Sequence, residues 1–127
     1  MFSHVVMGVK DMEASKKFYD AILAVLGYPE GHLDPKGRCF YASQYGTLGL
    51  TKPINGEEAC HGNGMTIGFR IKSPELVDAW HAAGVANGGV SCEDPPGIRA
   101  MGERKLYLAY LRDPAGNKLC GTHVMSS

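Results

Sequence analysis

A chain of 127 residues fits one ordinary domain and can bury a core without disulfide staples. Thirteen basic residues balance thirteen acidic ones, so neither a nucleic acid nor an anionic membrane surface is an expected partner. No stretch reaches the roughly 18 apolar residues of a membrane span, and the first fifteen residues lack the basic start and apolar run of a signal peptide.

In chain order, Phe2 to Lys10 alternates as a strand, with Val5, Met7 and Val9 on one face and His4, Val6 and Gly8 on the other. Asp11 then offers an N-cap, and Ala14, Phe18, Ile22 and Val25 recur at helical spacing until Gly27. Strand-like runs follow near 28–33, 38–43 and 48–52. A glycine-containing linker over 54–63 holds Cys60 and His61. Met65 to Lys72 alternates again, Ile67, Phe69 and Ile71 against Thr66, Gly68 and Arg70. Ser73-Pro74-Glu75 starts a second helix with an apolar face of Leu76, Val77, Trp80 and Ala83, and Gly88-Gly89 ends it. Further strands are expected near 90–93, 106–112 and 118–124. DPPGIRAMGERK, with two prolines and two glycines, reads as an exposed loop carrying Arg99 and Arg104. Asp113-Pro114-Ala115-Gly116-Asn117 is a turn between the last two strands, and Lys118, Cys120 and Thr122 share one face of the last.

At an offset of 62 residues the two halves agree. Lys10 meets Lys72, Glu13 meets Glu75, Phe18 meets Trp80, Ala21 meets Ala83 and Gly27 meets Gly89. Duplication explains such alignment better than shared helix grammar. The expected fold is a single α+β domain over 1–127. It has two βαβββ modules, approximately 1–53 and 64–125, each with a helix on one sheet face. The other faces form a curved mixed sheet around a shared cavity.

SHVVMGVKDMEASKKFYDAILAVLG, GMTIGFRIKSPELVDAWHAAG and YLAYLRDPAGNKLCGTH resemble the vicinal oxygen chelate superfamily of glyoxalase I, bleomycin-resistance proteins and extradiol dioxygenases. The resemblance covers nearly the whole chain and implies that fold. It also implies a metal-ligand position on the first and last strand of each module, which fall here at His4, Gly49, Thr66 and Cys120. Glyoxalase I would carry His or Gln, Glu, His and Glu there. Only His4 is a good donor in this chain, so no metal cofactor is expected. The glutathione-gripping arginine of glyoxalase I falls at Gly8.

The candidate catalytic residues are His4, as a general base or residual ligand, and Cys120. Cys120 lies mid-strand with only His4 as a conceivable base, and reads as a buried space-filling thiol. Candidate ligand-binding residues are Tyr41, Thr66, Arg99, Tyr110 and Cys120, with Arg99 as the handle for an anionic group. His123 is out of phase with Cys120 and is expected to face away from the cavity.

The function expected is binding of a small anionic organic molecule between the modules, with the reaction unassigned. A metal-dependent lyase, isomerase or dioxygenase built on His4 is the first alternative, and a drug-sequestering resistance protein the second. A homodimer is expected from the family and from the neutral charge. Four scattered cysteines without a CxxC pair make a reducing cytoplasm the expected compartment.

Overall fold

The computed structural model describes residues 1–125. The first module runs β1 (His4–Gly8), α1 (Met12–Val25), β2 (His32–Leu33), β3 (Cys39–Ser43) and β4 (Gly46–Thr51). The second runs β5 (Ile67–Arg70), α2 (Pro74–Ala86), β6 (Val90–Ser91), β7 (Gly97–Met101), β8 (Arg104–Arg112) and β9 (Lys118–Val124). In each, the first strand pairs parallel with the last, and the last pairs antiparallel with the strand before it. The strand order is β1-β4-β3-β2 in one sheet and β5-β9-β8-β6 in the other, with β7 also on β8. The strand–helix–strands order of each module is as expected, with one strand more than expected, β7, in the second. The hydrogen-bond ladders do not cross between modules, so β1 and β5 are each an edge facing a seam.

Both helices start where the sequence places them. The Asp11 carboxylate accepts from the Glu13 and Ala14 amides, and the Ser73 hydroxyl accepts from Leu76 N at 3.2 Å. Each helix lies on its own sheet and the two pack against one another. One core results, with Phe18, Tyr19 and Ile22 from α1, Val77 and Trp80 from α2, and Met7, Leu50, Ile71, Leu111 and Leu119 from the strands. Gly121 is needed there, because a Cβ would sit 2.8 Å from the Trp80 ring.

Two local expectations are corrected. The run near 28–33 is a strand only at His32–Leu33, because the Asp20 carboxylate takes the Gly31 amide at 2.9 Å in place of a ladder partner. The supposed loop DPPGIRAMGERK is mostly a hairpin. Gly97 to Met101 pair with Leu108 to Arg104, and Gly102 turns the chain at φ 64°. Pro95 and Pro96 precede this strand, where their missing amides cost no ladder bond.

Candidate functional site

Strand register fixes what shares the face of each sheet turned away from its helix. On the first sheet His4, Val6 and Gly8 sit beside Thr47, Gly49 and Thr51, while Met7 and Leu50 fill the core side. On the second, Gly68 and Arg70 sit beside Cys120 and Thr122, Tyr110 is opposite Cys120, and Arg99 on β7 is opposite Leu106 on that face. Thr66 precedes β5 and is exposed. His123 faces the other way, its Nδ1 2.9 Å from Ile71 O.

The residues at the metal positions of the family do not fit a resident divalent ion. A Cβ at Gly49 would lie 2.9 Å from the Phe40 ring and 3.2 Å from Val6, so an apolar ring occupies the space a carboxylate ligand would need. Arg38 stacks over that ring at 5.4 Å, adding a cation where an ion would want an anion. Cys120 is 7% exposed, with Thr122 Oγ1 at 3.3 Å and Gly121 O at 3.7 Å. Among the described residues no three His, Cys, Asp or Glu side chains form a metal-holding group.

Around Cys120 the open face is polar but largely self-paired. Lys118 bonds Glu93 and lies 5.0 Å from the Tyr110 ring. Burial first, and then the neighbouring Cys120 thiol, push the Tyr110 phenol up to about 12. The Arg99 guanidinium donates to Pro95 O at 2.8 Å, which ties it to the segment just before its strand.

A cleft lies elsewhere. With a volume of about 740 Å³, it opens between the edges β1 and β5, floored by Leu23, Leu26 and Tyr28 at the C-terminal end of α1. Such a volume falls within the roughly 300–1,000 Å³ of small-molecule sites. Leu48, Ile67 and Phe69 make its wall apolar, and Arg70 and Lys72 bring two cations to it with no Asp or Glu. His4 lines it too, sharing a 2.6 Å hydrogen bond between its Nδ1 and Ser3 Oγ. That bond holds the ring and leaves Nε2 as its available nitrogen.

Tyr41 also lines the cleft but comes from the core side of β3, only 7% exposed. Its hydroxyl donates to the Asp20 carboxylate at 2.7 Å, and burial pushes the phenol well above its ordinary value. Of the candidates, then, the structure brings His4 and Tyr41 to the cleft and leaves Thr66, Arg99, Tyr110 and Cys120 off its wall. Arg70, Lys72 and Ser3 were not singled out beforehand, although strand alternation had already set Arg70 on the cavity face.

The opposite end of β1 is closed. There the turn Asp113–Asn117 reaches across from the second module, and Asn117 Nδ2 donates to Gly8 O at 3.2 Å. Tyr19 on α1 donates to the buried Asp113 carboxylate at 2.5 Å. Asp113 also accepts from the Ala115 and Asn117 amides and from Asn117 Nδ2, so its charge is fully bonded.

Comparison with known proteins agrees with this architecture. The model of the Glyoxalase/Bleomycin resistance protein/Dioxygenase superfamily matches residues 1–120. A crystal structure of a glyoxalase/bleomycin resistance protein from Albidiferax ferrireducens T118 is 60% identical, with 96% of this chain and 98% of that one covered and a TM-score of 0.92. A glyoxalase/bleomycin resistance protein/dioxygenase family enzyme from Burkholderia phytofirmans PsJN shares the fold at 18% identity, covering 97% and 98% with a TM-score of 0.72. A glyoxalase-related enzyme from Fulvimarina pelagi does so at 20%, covering 97% and 87% with a TM-score of 0.72. No curated protein matches the chain. With two modules that each run strand, helix and then three or four strands, the seam between them and a family model spanning nearly the whole sequence, the chain belongs to the Glyoxalase/Bleomycin resistance protein/Dioxygenase superfamily.

Proposed function

We propose that this protein binds a small anionic organic molecule in the cleft between its two modules, without a resident metal. The observation that carries the reading is the charge of the wall: Arg70, Lys72 and His4 line it, and no carboxylate does. Arg70 and Lys72 have no ion-pair or hydrogen-bond partner among the described residues, so a ligand anion would not have to displace one. These two residues take the role first assigned to Arg99. Calorimetric titration with small carboxylates tests the reading. A desolvated charge-assisted bond contributes about 1.5–3 kcal/mol, so Arg70→Met with Lys72→Met should weaken binding at least about tenfold. Unchanged affinity would contradict it.

The absence of a resident metal rests on the Phe40 ring beside Gly49. Elemental analysis finding about one transition metal per chain, lost on His4→Ala, would overturn it. The working form is a homodimer. Phe2, Val6, Ile54 and Met65 are large apolar side chains left exposed, and a second copy would cover some of them. Light scattering should give twice the chain mass, and a concentration-independent monomer mass would refute it. Free Cys39, Cys60, Cys92 and Cys120 suit a reducing cytoplasm. No helix among the described residues is long and apolar enough to cross a membrane.

A further inference from the structure

The two ends of the seam use equivalent pieces of the repeat differently, and the difference points to what the open end takes. At the closed end the β8–β9 turn inserts a carboxylate, Asp113, together with a compact apolar body, Pro114 and Ala115. Ala115 is 3% exposed there, so the body is packed as well as the charge. At the open end the equivalent β3–β4 turn has only Gln44 and Tyr45 between its strands. Its hydrogen bonds stay within it: the Ser43 hydroxyl donates to Gly46 O at 2.9 Å and takes the Tyr45 amide at 3.1 Å. No side chain from that turn supplies a carboxylate. The wall it leaves is apolar along Leu23, Leu26, Leu48, Ile67 and Phe69, with cations at Arg70 and Lys72.

We propose that the open end of the seam takes a hydrophobic monocarboxylate: one carboxylate held by Arg70 and Lys72, and an aryl or branched alkyl body laid on Leu23, Leu26 and Phe69. This rests on the reading that the cleft binds an anion, and narrows it to a class. A small hydrated anion such as phosphate would satisfy the cations but leave the apolar wall in water. A neutral apolar molecule would cover the wall but leave two cations crowded by a low-dielectric surface without a counter-charge. A hydrophobic carboxylate satisfies both. Its body, about five or more carbons, separates it from acetate. Each buried methylene contributes a factor of about four in affinity.

The experiment is calorimetric titration of the full chain with five probes: phenylacetate, 4-methylpentanoate, acetate, inorganic phosphate and 2-phenylethanol. The two hydrophobic carboxylates are expected to bind at least about tenfold tighter than the other three. Arg70→Met with Lys72→Met should weaken them at least about tenfold, and Leu26→Gln should weaken phenylacetate while leaving acetate unchanged. Arg70 and Lys72 are exposed, so their replacement keeps the fold. Acetate or phosphate binding as tightly as phenylacetate would overturn the hydrophobic class and leave the anion reading standing. Binding of 2-phenylethanol as tight as phenylacetate, or binding of none of the five, would overturn both.

Discussion

The two ends of the inter-module seam are built from the same repeat and do opposite things. At one end a five-residue turn between β8 and β9 crosses to the first module and is bonded to Tyr19 and Gly8. At the other the shorter turn between β3 and β4 closes its hydrogen bonds on itself, and a cleft remains. In a duplicated fold, the length and chemistry of one hairpin turn thus distinguish a filled seam end from an open one.

The sharpest way to break the closed end is Asp113→Ala. It strips four hydrogen bonds from donors in a site only 4% exposed. Stability should fall by about 3 kcal/mol or more, read as a lower urea midpoint. A loss under about 1 kcal/mol would mean that the turn is not what joins the modules. Gly49→Glu probes the open face of the first sheet. Its side chain must displace the Phe40 ring, at a cost of about 1–3 kcal/mol that Phe40→Ala should partly relieve. No relief in the double variant would place the strain elsewhere.

Tyr19→Phe removes one donor and keeps the ring packed between Phe18 and Tyr41. We expect a loss of about 1–2 kcal/mol and non-additivity with Asp113→Ala in a double-mutant cycle. Full additivity would mean the pair is not coupled.

Near the open end, pH supplies a smaller effect. Burial alone would raise the Asp20 carboxyl, but the Gly31 amide, Lys16 and Tyr41 bond its charged form and hold it below 3.8. A carboxyl lowered on folding contributes stability above its unfolded value, and that contribution is lost as pH falls through the lowered folded value. Stability should therefore decline below about pH 4, and Asp20→Asn should flatten that part of the profile. An unchanged acid limb would remove Asp20 from the account.

Much of this was legible in the sequence because it is local. The caps at Asp11 and Ser73, the alternation in β1 and β5 and the 62-residue offset yield the modules and the face of Arg70. The strand Gly97–Met101 was hidden because prolines before it and Gly102 after it have loop composition, while its ladder partners lie on β8. That Gly49 offers no donor side chain was visible, but Phe40 filling the space beside it is a cross-strand contact. The cleft itself depends on how α1 packs against α2, which no local pattern encodes. Arg99, on a paired edge strand and bonded to Pro95 O, lies off that cleft, which Arg70 and Lys72 line.

Mapping backbone amide shifts while titrating phenylacetate into ¹⁵N-labelled protein tests the central claim most directly. The account predicts saturable shifts at Ser3, His4, Leu26, Tyr28, Phe69 and Arg70, with Gly8, Asp113 and Asn117 unmoved at the closed end. Shifts centred instead on Arg99, Tyr110 and Cys120 would place the ligand on the open face of the second sheet and contradict it.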